Sequence, residues 1–160
     1  MSSGWTESDL GNWSGDATVQ DGVASNNIEQ PENVNDATLP LTIMLQGKPP
    51  SLNAWYSGQH WSERKRVRDE WHAKVARNAP DVVVRDYPVA VECEVMFADG
   101  RAQYDTENCV TASKLITDGL VEAGVLKGDQ PKHVSEVTLR STVHDGKPCV
   151  FYRILSTEQA

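Results

Sequence analysis

No run of about 18 apolar residues occurs anywhere in the 160-residue chain, so no segment reads as a membrane span. The first residues have neither the basic start nor the apolar stretch of a secretory leader. Cysteine is scarce: Cys93, Cys109 and Cys149 are an odd number and form no CxxC pair. That excludes a disulfide scaffold and points to a reducing, cytoplasmic setting. The four histidines, His60, His72, His133 and His144, stand at no zinc spacing relative to those cysteines and read as structural or exposed. A thiol at Cys109 would need a histidine close by to act as a nucleophile, and the spacing supplies none. There is no Walker loop, no dinucleotide fingerprint and no internal repeat.

Basic residues are missing from one whole region. Residues 1–38 hold seven of the 23 acids and none of the 15 Lys and Arg, so the net charge of −8 belongs almost entirely to this segment. It is rich in Ser, Gly, Asn, Asp and Thr, and its apolar residues follow neither a helical nor a strand period. Such a segment buries too little apolar surface to offset the entropy of ordering it. It is expected to be a disordered acidic tail, with Trp5 and Trp13 as isolated candidate anchors for a partner.

What remains, residues 39–160, is close to neutral and long enough for one domain with its own core. Residues 41–46 read as a strand, broken by Gly47-Lys-Pro-Pro-Ser51. Ser62 looks like the N-cap of a helix running to Asn78, with Val67, Trp71 and Val75 as its apolar seam. Residues 88–97 form the clearest strand: Val89, Val91, Cys93, Val95 and Phe97 share one face, Glu92 and Glu94 the other. A second helix is expected over 111–123, with Ala112, Ile116, Gly119, Leu120 and Ala123 inward and Gly124 as its stop. Two last strands, 134–143 and 149–155, read as a hairpin through His144-Asp-Gly-Lys-Pro148. The order strand, helix, strand, helix, strand, strand predicts a single small α/β (α+β) domain, with two main helices on a mixed sheet of about four strands.

Acidic residues gather at two seams of this plan. Asp105 and Glu107 fall in the loop before the second helix, and Asp129 falls in the loop after it. A strand–helix–strand unit can bring such loops together or hold them at opposite ends. Together, three carboxylates would suit Mg²⁺, a hard cation that activates water and steadies charge on a phosphodiester. Apart, Asp105 caps the helix, Glu107 sits in its first turn and Asp129 starts a turn.

The ordered set Asp105, Asn108, Lys114, Asp118-Gly119-Leu120, Gly124 and Asp129 resembles the core motif of the RusA family of Holliday-junction resolvases. Pro49-Pro50-Ser51 and Asn53 resemble that family's proline loop, and the similarity spans roughly residues 40–155. The resemblance implies a homodimeric endodeoxyribonuclease that nicks four-way or branched double-stranded DNA in recombination and repair. Mg²⁺ would be its cofactor, with Mn²⁺ as a substitute. Carried over by position, Asp105, Glu107 and Asp129 would ligate the metal, and Lys114 would position the phosphate or the water. Asn108 would support the loop, and Asp118 would pair with Lys114 one turn away. If the loop ran on to Thr111 as N-cap, Lys114 would sit in the first turn beside the acids.

Two positions depart from the family pattern. Glu107 stands where an Asp is usual, and Gly128 stands where the first acid of an Asp-Asp pair is expected. These departures keep open an alternative, a junction-binding relative with impaired cutting. A resemblance that is only fold deep would leave an interaction domain. The helix over 62–78 carries Arg64, Lys65, Arg66, Arg68 and Lys74, and with Arg101 these are the candidate phosphate contacts. The bland alternative is a solvated face neutralised by Glu63, Asp69 and Glu70. Trp55, Tyr56 and Trp61 could stack on unpaired bases or simply pack the domain.

Overall fold

The computed structural model describes residues 35–58 and 60–159. The expected flexible tail, with Trp5 and Trp13, falls mostly outside the described residues. Its last residues belong to the fold, because β1 (Asn35–Asp36) pairs in parallel with β3 (Val82–Val83). The Ala37 N–H donates to Val83 O at 2.9 Å, and Ala37 and Leu39 pack on the core. The domain therefore reaches back past residue 39.

The sheet is built around β4 (Val89–Phe97). Val89, Val91, Cys93, Val95 and Phe97 are fully buried on one face, while Glu92 and Glu94 are half-buried on the other, as the alternation predicts. β4 pairs in parallel with β5 (Val134–Val143) and antiparallel with β6 (Cys149–Ser156). β6 pairs antiparallel on its far side with β2 (Leu41–Gln46), giving the order β2-β6-β4-β5.

The last two strands do not form the expected hairpin. They take opposite edges of β4, and residues 144–148 cross its end, where the His144 N–H donates to Phe97 O at 2.9 Å. The physical reason lies in the strands themselves. β6 buries Val150, Tyr152 and Ile154 and suits an interior position. β5 buries only Val134 and suits an edge. A strand as apolar as β4 is satisfied with a neighbour on each side.

The helices cover one face of this sheet. The short α1 (Leu52–Tyr56) is capped by Ser51, whose hydroxyl accepts from the Ala54 N–H at 3.1 Å. α2 (Trp61–Asn78) starts one residue before the expected Ser62 cap, because His60 holds the N-cap position and accepts from the Ser62 N–H. Its seam of half-buried Val67 and buried Trp71 and Val75 is as expected. α3 (Val110–Glu122) buries Ala112, Ile116, Gly119 and Leu120 and ends before Gly124, whose φ of 80° only glycine adopts readily. Where the two long helices meet, a Cβ on Gly119 would stand 3.0 Å from the Val75 Cβ, so the glycine sets the closeness of approach. Among the described residues no helix is long and apolar enough to cross a membrane.

Candidate metal and nucleic-acid site

The acidic loop after β4 is fixed from both sides. Tyr104 packs edge-on against Phe97 with ring centres 4.9 Å apart, and its hydroxyl donates to Pro49 O at 3.1 Å. The proline loop is thereby tied to the acidic loop, and Lys48 Nζ lies 4.5 Å from the centre of the Tyr104 ring. From β5, the Ser141 hydroxyl donates to Tyr104 O at 2.6 Å. Asp105 then starts a 3-10 helix over Thr106–Cys109 without a side-chain capping bond. Its exposed carboxylate lines a small open cleft with Gln103, Tyr104, Thr106 and Ser141. Glu107 is exposed on that turn, Asn108 is half-buried, and the Asn108 N–H donates to Asp105 O at 2.9 Å.

α3 begins at Val110, so Cys109 rather than Thr111 is its N-cap. The 3-10 turn consumes the residues that the sequence assigned to loop. Lys114 is then the fifth residue of α3, and it does not turn back toward Asp105 and Glu107. Its ammonium donates to Asp118 Oδ1 at 2.6 Å and to Asp129 Oδ2 at 2.7 Å. The Asp118 bond follows from one helical turn of spacing. The Asp129 bond exists because the loop after α3 folds back along the helix flank. The hydrogen bond from Lys114, reinforced by its charge, holds the Asp129 carboxyl below its ordinary range.

The expected meeting of Asp105, Glu107 and Asp129 is decided by topology. β4 and β5 run parallel with α3 between them, and the loop after the helix folds back far enough for Asp129 to reach Lys114 in the second turn of α3. Among the described residues no group of three or more His, Cys, Asp or Glu is arranged to hold a metal ion. The carboxylates that do converge are Asp118 and Asp129, around a point already occupied by a cationic group. Asp118 entered the sequence reading only as a partner for Lys114; its place in a two-carboxylate cluster was not legible from spacing.

Gly128 has a local explanation. A Cβ there would stand 2.6 Å from His133 Nδ1, so the imidazole occupies the space a side chain would need. His133 itself packs edge-on against Tyr87, with centroids 5.0 Å apart. The other histidines have structural partners too: His60 at the α2 cap and His72 bonded to Glu122 Oε2 at 2.5 Å. Cys93, Cys109 and Cys149 are free and buried. Burial raises the Cys109 thiol above its ordinary range, so it is protonated at neutral pH and no nucleophile.

The basic face of α2 is largely self-neutralised. Lys65 pairs with Asp69 at 2.6 Å, Arg66 with Glu63 at 2.6 Å, and Arg68 with Asp69 at 2.9 Å. Lys74 Nζ lies over the Trp71 ring at 4.2 Å. Arg64 and Arg101 enter no ion pair among the described residues. Tyr56 and Trp61 are well exposed, while Trp55 is half-buried against the core. Compared with family models and with curated proteins, the chain matches none of them.

Proposed function

We propose that this chain is a metal-dependent, structure-selective endodeoxyribonuclease of RusA type, acting on four-way or branched DNA. The observation that carries this reading is the Lys114–Asp118–Asp129 cluster on the exposed flank of α3. Two carboxylate oxygens converge there on one cation-holding point. That donor set fits Mg²⁺, which is commonly held by one or two carboxylates and keeps several waters. When bound, the ion would supply an activated water and neutralise charge on the phosphodiester. Asp118 and Asp129 would hold it once the Lys114 ammonium, which sits between them, swings away toward the phosphate. Lys114 brings a positive charge to the scissile phosphate. Asp105 and Glu107, which the resemblance makes metal ligands together with Asp129, stand ahead of α3 and outside this cluster, and Arg64 and Arg101 are the candidate phosphate contacts without an ion pair among the described residues. A homodimer would place two such sites on a two-fold junction.

A second reading, junction binding without cutting, is favoured by one specific feature. Position 128 cannot carry the first acid of the family pair while His133 stays where it is. Titration of Mg²⁺ into a nicking assay on a synthetic four-way junction separates the two. Wild type is expected to nick, and Asp129→Asn to lose about a hundredfold or more while binding the junction as well or better. Equal nicking by the variant removes Asp129 from the chemistry. Binding without any nicking by wild type establishes the second reading, and no binding at all leaves an interaction domain.

A further inference from the structure

β5 lies at one edge of the sheet, with β4 on one side and no strand among the described residues on the other. In a parallel ladder, alternate residues turn both backbone groups toward the neighbour. The His144 N–H donates to Phe97 O at 2.9 Å, so by alternation residues 138, 140 and 142 also turn toward β4. Val137, Leu139 and Ser141 therefore present their N–H and C=O to the open side. The Gln103 side-chain amide bears out this parity, donating to Ser141 O at 3.0 Å and capping the edge there. The outward groups of Val137 and Leu139 have no partner among the described residues. Charge on the outer face of the same strands is also out of balance. Arg140 and Arg153 share the single carboxylate of Glu92, at 3.4 and 3.2 Å. Glu94 accepts from the Thr142 hydroxyl at 3.0 Å. Glu136 is exposed and enters no ion pair among the described residues.

We infer that β5 pairs antiparallel with β5 of a second copy of this chain, about a two-fold axis through Thr138. The register follows from the strand's own residues. Its only charges are Glu136 and Arg140, and only this centre sets each opposite the other. Centres at Glu136 or Arg140 would set like charges face to face, which is destabilising. The same register makes Val137 and Leu139 a hydrogen-bonded pair, each exchanging its N–H and C=O with the other. Glu136 and Arg140 then form the adjacent pair without backbone bonds, in which side chains stand closest. Val137, 50% exposed, gains the half-buried Leu139 as its cross-strand neighbour. Arg140 gains the carboxylate that it otherwise shares with Arg153. An unrelated extended peptide would satisfy the backbone groups but has no reason to answer both charges. A contact of this isologous kind closes on itself, giving a dimer and not a fibre. The inference follows from the strand alone and does not rest on the DNA-cutting reading.

The test is sedimentation velocity of the full chain over a concentration series, without DNA. Wild type should dimerise. Glu136→Arg sets arginine against arginine, and Arg140→Glu sets glutamate against glutamate. Each variant alone should self-associate about tenfold more weakly. Both positions are exposed, so both variants should fold. Mixed in equal amounts, the two variants should associate with each other as strongly as wild type, because every charge again meets its opposite. Val137→Pro removes an outward N–H while sparing the ladder with β4, and should abolish the dimer. Wild type that stays monomeric at every concentration overturns the inference. A dimer indifferent to both charge reversals, or a mixture that fails to recover wild-type affinity, overturns it as well. A monomer that still nicks four-way junctions overturns the edge pairing and spares the nuclease reading; a dimer that nicks nothing does the reverse.

Discussion

α2 and α3 pack against each other over the same sheet, yet they use their residues differently. α3 buries eight of its 13 residues, and its charges, Lys114, Asp118 and Glu122, recur every fourth position along one flank. α2 buries only Trp71 and Val75 of 18, and its charges pair with one another around the exposed surface. On α3 the polar residues that stay inside are small, Thr111, Ser113 and Thr117, and the charged ones keep to the exposed flank, where Lys114 meets Asp118 and Asp129. Where nearly every position is outside, a run of bases is accounted for by nearby acids. The buried helix therefore constrains its side chains more than the exposed one does, even though α2 has the more conspicuous sequence.

The largest effects that bear on this contrast are in the core. Leu120 is completely buried, and Leu120→Ala should cost about 2–5 kcal/mol in denaturant unfolding, from lost transfer energy and the cavity left behind. Val67→Ala on the half-buried seam of α2 should cost about 1 kcal/mol or less. Equal losses would mean that α2 carries more of the core than its burial indicates. Gly119→Ala comes next. Overpacking costs about 1–3 kcal/mol, set against about 1 kcal/mol gained from helix propensity. A net loss is expected, because Val75, whose Cβ stands 3.0 Å from the added carbon, is fully buried and stiff at χ1. A rise in melting temperature instead would show that the helices part freely, and the contrast between a fixed α3 and a loose α2 would fail.

The sequence made the elements legible and the meeting points much less so. β4 and α3 were readable because period two and period 3.6 are local properties, and Gly124 punctuated the second. The pairing of β5 and β6 was misread because a turn-like sequence at 144–148 is equally good at crossing the end of a third strand. The short 3-10 turn over Thr106–Cys109 shifted the start of α3 and with it the reach of Lys114. Asp118 was legible as the partner of Lys114 from spacing alone. Asp129 was not, since its position depends on how the loop after α3 folds back. Among the described residues no group of three or more such side chains is arranged to hold a metal, and how the loops around α3 meet is not something residue spacing reveals. α1 was missed because it is five residues long, although the Ser51 cap was there to be noticed.

A smaller effect tests the cluster itself. The Asp129 carboxyl is held below its ordinary range first by the hydrogen bond from Lys114, so Lys114→Gln should raise it back toward that range. Carboxyl-carbon NMR across an acid titration reads this directly. The sign for stability follows from the depressed folded value. Whatever the pair contributes is present above the unfolded carboxyl value and is lost as pH falls through the folded one. With Asp129 nearly half exposed, that contribution is small. An unchanged titration in the variant would mean that Lys114 and Asp129 are neighbours without coupling.

The smallest effect separates paired from unpaired bases in DNA binding. Each Lys or Arg that neutralises a phosphate releases counterions and steepens the salt dependence of affinity by about one unit of log–log slope. Arg101 is exposed and without an ion pair among the described residues, so Arg101→Ala should lower the slope by about that much. Arg66 already shares its charge with Glu63 at 2.6 Å and Glu70 at 3.4 Å. To meet a phosphate it must give up those partners and leave two carboxylates facing the DNA, so Arg66→Ala should lower the slope by less. Junction affinities measured at several salt concentrations decide between them. Equal slopes for the two variants would make α2 a phosphate-facing helix after all, its ion pairs broken on binding.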